Sequence, residues 1–196
     1  MRPVRLLWLL IFAAALVGAG LVIHSAMPAW YARYWYPLEY VTPINREAAA
    51  TGLDPALVAA LIWRESGFDA SSRSHRGAVG LTQVLPSTAA EIAASDTPPV
   101  GRSVDLADPE VNIAYGAWYL RSLIDQNGGS VEEGLAAYNA GAGNLARWKQ
   151  RAAASGHTFQ VPGDIPFPET KAYVNDILNA WAIYRRTYGD RLNPAS

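Results

Sequence analysis

The sequence predicts a mainly α-helical domain. Apolar residues recur at helical spacing after Thr42, and two Asp-Pro pairs, at 54–55 and 108–109, each put a capping side chain before a proline at a first helical position. No run shows the alternating β-branched pattern of a sheet of any size. The elements follow in order. Residues 54–66 open at Asp54-Pro55 and stop before Gly67, and residues 87–94 follow Pro86 as a short helix. Asp108-Pro109 starts a long helix that reaches about Asn127-Gly128-Gly129. Ser130, with Glu133 three residues on, is a capping box for the next helix, which carries Leu135-Ala136-Ala137-Tyr138-Asn139 and breaks at Gly141. Residues 144–154 form another. The last runs from about 168 to 188, with Tyr173, Ile177, Ala180, Trp181 and Tyr184 near one face. Two loops, 67–86 and 156–168, separate these helices.

Composition narrows the function. The chain has 196 residues, enough for one core of ordinary size, and is 51% hydrophobic with seven Trp and ten Tyr, too apolar to stay disordered. Sixteen Lys plus Arg against seventeen Asp plus Glu give a net charge of −1, without the basic excess that tracking a phosphate backbone requires, so nucleic acid is not the expected partner. There is no cysteine, which removes disulfides, thiolate zinc sites and Cys nucleophiles together. His24, His75 and His157 are scattered without metal-ligand spacing, and no phosphate loop or nucleotide fingerprint is present. No metal, cofactor or nucleotide is expected.

The N-terminus predicts a membrane attachment. Residues 6–23 are uncharged and apolar, and as a helix would cover about 27 Å at ~1.5 Å per residue. Arg2 and Arg5 precede them and the next basic residue is Arg33, so the positive-inside rule leaves residues 1–5 in the cytoplasm and exports the rest. The expected order is a stub at 1–5, a transmembrane helix at 6–23, an aromatic juxtamembrane segment at 24–42, the domain at 43–190 and a tail at 191–196. A cleaved signal peptide is the competing reading, and both place the domain outside the cytoplasmic membrane. Trp30, Tyr31, Tyr34, Trp35 and Tyr36 either lie in the lipid headgroup zone or pack as a first helix on the domain.

One residue sits oddly for its place. Glu65 falls near the C-terminal end of helix 54–66, on the same stripe as Leu61, Ile62 and Val58. Desolvation by aliphatic neighbours and the negative end of the helix dipole both raise a carboxyl pKa there, so a proton is retained near neutral pH. Such an acid is what glycosidic cleavage needs, because the leaving sugar oxygen must be protonated as the bond breaks. The bland alternative is a side chain that swings into solvent or pairs with Arg73 or Arg76.

The surrounding motifs favour the first reading. Glu65-Ser66-Gly67-Phe68 is followed by Gly77-Ala78-Val79-Gly80-Leu81-Thr82-Gln83-Val84-Leu85-Pro86, by Ala137-Tyr138-Asn139-Ala140-Gly141, and by Ile165-Pro166-Phe167-Pro168-Glu169-Thr170 with Tyr173-Val174. In order and spacing this resembles the catalytic domain of the soluble lytic transglycosylase (SLT) family, from about Pro37 to Tyr188. The resemblance implies a lysozyme-like fold that cleaves peptidoglycan glycan strands. It implies that Glu65 protonates the oxygen between N-acetylmuramic acid and N-acetylglucosamine, then takes the proton of the muramyl O6 hydroxyl as that oxygen attacks C1. The product ends in a 1,6-anhydro ring and no water is consumed. A hydrolytic muramidase and a non-catalytic wall-binding protein are the rival readings.

The resemblance also implies that Tyr138 hydrogen-bonds and orients Glu65, that Gln83 both donates to and accepts from a sugar acetamido group, and that Ser74, Asn139 and Glu169 contact substrate. Read without it, Tyr138 is a core ring and Glu169 complements a helix dipole. Where the family pattern has Met, this chain has Thr82, which alters sugar packing at that point. No Asp or Glu lies between Ala70 and Ala90 to hold a hydrolytic water. Asp69 remains as a second carboxylate, read mainly as a turn residue. Tyr173 is read either as core or as part of the cleft.

Overall fold

The computed structural model describes Trp8 and residues 11–18, 27–95, 97–99 and 105–193. Two compact units divide at Pro37 and Leu38. In the first, Trp8 and residues 11–18 are helical and exposed, and a short helix α1 spans Ala29–Trp35. The other half of the predicted transmembrane stretch 6–23, around this helical piece, lies outside the described residues. Among the described residues no helix is long and apolar enough to cross a membrane.

The second unit is helical: α2 (Val41–Thr51), α3 (Pro55–Ser66), α4 (Pro86–Ala93), α5 (Pro109–Gln126), α6 (Val131–Ala140), α7 (Ala142–Ala154) and α8 (Pro168–Tyr188). The Asp-Pro starts form as expected. Asp54 accepts from the amide of Ala56, and Asp108 from those of Glu110 and Val111. Ser130 caps α6 through the amide of Glu133, but the return half of the capping box is missing, because the Glu133 carboxylate pairs with Lys149 of α7 instead. Gly141 serves as both the end of α6 and the N-cap of α7, which therefore starts two residues earlier than 144.

Helix α3 is the axis of this unit. Every residue from Pro55 to Ile62 is buried, so its apolar surface runs all round rather than along one stripe. It packs lengthwise against α8 and is flanked by α2, while α5 packs on α2 and α6, and α6 in turn on α7 and α8. Gly67 ends α3 in the left-handed region at φ 62°, the conformation glycine adopts without a Cβ penalty. The last turn of α3, Trp63 to Ser66, emerges half-buried from this packing. The loop 67–85 then folds back in short turns, with isolated bridges pairing Val79 with both Arg73 and Val84.

Candidate active site

The last turn of α3 puts the Glu65 carboxyl where the core meets the surface. Its Oε1 accepts a hydrogen bond from the hydroxyl of Tyr173, on α8, at 2.5 Å. Burial pushes the Glu65 pKa up to about 7, against the opposing pull of the Tyr173 hydrogen bond and the nearby charge of Arg64. Arg64 is held by Asp176 at 3.0 Å and lies over the Tyr173 ring, 5.3 Å from its centroid. Tyr173 is buried, and desolvation together with the Glu65 charge holds its own pKa well above that of an ordinary phenol, so it stays a donor.

Tyr138, at the end of α6, differs from expectation. Its hydroxyl donates to the carbonyl of Thr82 at 2.8 Å, so its single proton is committed to the 80–83 turn and not to Glu65. Burial and the charge of Glu65 both raise the Tyr138 pKa, which puts the ring within electrostatic reach of the carboxyl. The hydroxyl that binds Glu65 comes from Tyr173, one of the two places the sequence left open for that ring.

The turn is fixed on both sides. Ser66, next to Glu65, donates its hydroxyl to the carbonyl of Leu81 at 2.8 Å. Gln83 holds a left-handed backbone at φ 50°, and its Nε2 donates to the carbonyls of Ser72 and Gly80 at 3.1 and 2.8 Å. Both amide hydrogens are thus used within the loop, and the side chain offers a ligand only its carbonyl oxygen.

Arg76, Gln83, Thr88, Tyr119, Tyr138 and Asn139 line a groove of about 230 Å³. Asn139 is oriented by the Thr170 hydroxyl, which donates to its Oδ1 at 2.7 Å and leaves its amide hydrogens unused by that contact. Ser74 is not brought to this groove. It sits at the exposed tip of the preceding turn, where its hydroxyl oxygen accepts from the amide of Ala78 at 3.0 Å. Glu169 is likewise exposed, in the first turn of α8, a position compatible with either of its two readings. Asp69 is an exposed turn residue, bound by the amide and hydroxyl of Ser71 at 2.8 and 2.7 Å, and these hydrogen bonds hold its pKa below the usual carboxylate value.

Asn112 and Thr170 are buried polar side chains that sequence reasoning passed over. A signal existed for Asn112, since an amide inside an otherwise apolar helical run is unfavourable without a tertiary partner. Among the described residues no three His, Asp or Glu side chains converge as metal ligands would.

Known proteins share this architecture. The soluble lytic murein transglycosylase of Escherichia coli K12 is 32% identical over 157 residues, which cover 80% of this chain and 24% of that protein. The endo-type membrane-bound lytic murein transglycosylase A of Klebsiella pneumoniae is 34% identical over 131 residues, 61% of each chain. The crystal structure of an inactive mutant of lytic transglycosylase Slt from Pseudomonas aeruginosa superposes with a TM-score of 0.72 at 31% identity, covering 88% of this chain and 28% of that one. The chain thus spans about a quarter of the length of the soluble relatives it matches. Its fold is the lysozyme-like fold of these enzymes. The transglycosylase SLT domain matches residues 42–159, and the chain belongs to that family.

Proposed function

We propose that this chain is a peptidoglycan lytic transglycosylase with Glu65 as its single acid and base. The observation that carries the reading is a carboxyl with a pKa of about 7 at the end of a buried helix, aligned by a buried tyrosine. In its acid form Glu65 gives its proton to the glycosidic oxygen as the C1–O4 bond breaks. The resulting carboxylate takes the proton of the muramyl O6 hydroxyl as that oxygen bonds to C1, and the acid is restored. Atoms and charge balance without water. Tyr173 is the residue that orients Glu65, while Tyr138 holds the Gln83 turn. Gln83, through its carbonyl, and Asn139, through its amide, face the sugar from the groove, and Ser74 and Glu169 reach substrate only along the outer rims of the site.

The hydrolytic rival needs a second carboxylate for water. Asp69, the candidate for that task, is engaged by Ser71, which favours the non-hydrolytic route. Mass spectrometry of muropeptides released from purified peptidoglycan by the full chain, beside Glu65→Gln, tests the proposal. Anhydromuramyl products that disappear in the variant are expected. Reducing muramyl ends make the enzyme a muramidase, and co-sedimentation with the wall without release makes it a binding protein.

The proposed address is the outer face of the cytoplasmic membrane, with residues 6–23 as anchor and 43–190 as catalytic domain. Exposed Trp30, Tyr34 and Trp35 on α1 have the amphipathic character of headgroup-level rings. Fractionation decides between anchor and cleaved leader, since a retained anchor resists carbonate extraction.

A further inference from the structure

The 79–83 turn is gripped from behind by one side chain. Asn112, on α5, is fully buried. Its Oδ1 accepts from the amide and the hydroxyl of Thr82 at 2.8 and 2.7 Å, and its Nδ2 donates to the carbonyls of Val79 and Leu106 at 2.8 and 3.0 Å. Each amide hydrogen and each lone pair therefore has a partner. The fit is close: a Cβ on Gly80 would stand 2.3 Å from the Asn112 Nδ2, and one on Gly116 would stand 2.4 Å from the Thr82 Cβ. A leucine at 112 would fill similar space without burying an amide, but it would leave the Thr82 amide and the two carbonyls unpaired.

The front of the same turn holds the parts of the site. The Leu81 carbonyl takes the Ser66 hydroxyl beside Glu65, the Thr82 carbonyl takes the Tyr138 hydroxyl, and Gln83 follows in a left-handed conformation that a non-glycine residue keeps only where its surroundings dictate it. We propose that Asn112 is a positioning residue for the transglycosylase reaction, setting through Thr82 the register among Glu65, Tyr138 and Gln83. The inference rests on the proposed role of Glu65.

Without this grip the turn relaxes, its carbonyls part from Ser66 and Tyr138, and water reaches the end of α3. The groups facing Glu65 are Arg64 on its own helix, Tyr173 on α8 and Tyr138 on α6, with Arg64 held by Asp176. Of these Asn112 acts on Tyr138 alone, so the carboxyl moves toward ordinary solvation while its Tyr173 bond persists.

The test compares Asn112→Ala, Thr82→Val and Thr82→Ser in the full chain. It reads melting temperature, kcat and KM on a soluble muropeptide oligosaccharide, and the Glu65 titration midpoint by carbon-13 NMR of the carboxyl. Thr82→Val keeps the side-chain shape and the backbone bond to Asn112 but loses the hydroxyl bonds. It is expected to lower kcat roughly 10-fold with KM changed less than about threefold, and to lower the Glu65 midpoint by about one pH unit. Asn112→Ala should move both further in the same direction, and Thr82→Ser should restore both. A lowered melting temperature with kcat and midpoint unchanged in Thr82→Val would reduce Asn112 to a structural residue, and that variant decides even if Asn112→Ala does not fold. Wild-type release by Glu65→Gln would sink the catalytic reading instead, while the midpoint still reports whether Asn112 sets the surroundings of Glu65.

Discussion

The hydroxyl of Tyr173 donates to the carboxyl of Glu65 across 2.5 Å, joining residues 108 positions apart in sequence. That bond favours the carboxylate, so it works against the burial that keeps Glu65 protonated. The proposed cycle, in which Glu65 first gives and then recovers a proton, would use both influences, since they leave the pKa near the working pH.

Tyr173→Phe removes the donor and leaves the ring. The Glu65 pKa then rises further, and the pH at which kcat/KM begins to fall moves upward by about one unit, because a hydrogen bond to a charged group is worth about 1.5–3 kcal/mol and one unit is about 1.4. At neutral pH the loss of alignment should lower kcat by roughly 10- to 100-fold. A pH–rate profile of the variant checks both.

The same carboxyl makes stability depend on pH. Glu65 starts from an ordinary value of 4.5 in the unfolded chain and titrates at about 7 in the fold, so between these values the folded protein holds a proton that the unfolded chain has released. Its contribution is fully present below pH 4.5 and is lost as pH rises through 7, a difference of about 3 kcal/mol. Glu65→Gln escapes this loss. Urea unfolding should find Glu65→Gln more stable than wild type at pH 8, by up to about 3 kcal/mol, with the gap closing at pH 4.

Thr170→Val keeps shape but removes the hydroxyl that fixes the Asn139 amide. The Asn139 side chain then samples other rotamers before substrate binds. Steady-state kinetics should show KM raised by roughly 3- to 10-fold, for an interaction of about 1 kcal/mol, with kcat changed less than twofold.

Asp54→Ala tests the axis of the fold away from the chemistry. Beyond capping α3, the Asp54 carboxylate accepts from the Trp181 indole at 2.9 Å and faces Arg185 at 3.3 Å, so it ties the start of α3 to the far half of α8. Loss of the cap and of the indole partner should lower stability by about 2 kcal/mol, or about 6 °C in melting temperature by calorimetry, with activity at 25 °C unchanged.

What the sequence determined by itself was local. Asp-Pro pairs, glycines and apolar spacing delimit helices because capping and torsional preferences act over a few residues, and α3, α4, α5 and α8 begin and end within a residue or two of where those signals put them. Glu65 was legible for the same reason: a carboxyl at a helix end among aliphatic side chains is anomalous within a single turn. The motif residues around it pointed to the SLT family, which the match over residues 42–159 bears out.

The tertiary structure decided which partner each polar atom takes. Tyr173 rather than Tyr138 reaches the Glu65 carboxyl because α3 and α8 lie side by side, whereas the end of α6 meets the Gln83 turn. The Gln83 amide turns into its own loop, the Glu133 carboxylate leaves its capping box for Lys149, and Asn112 becomes the hub of the turn. A side-chain hydrogen bond is short and directional, so its partner depends on ångström-scale packing of helices far apart in the chain, which no local pattern encodes.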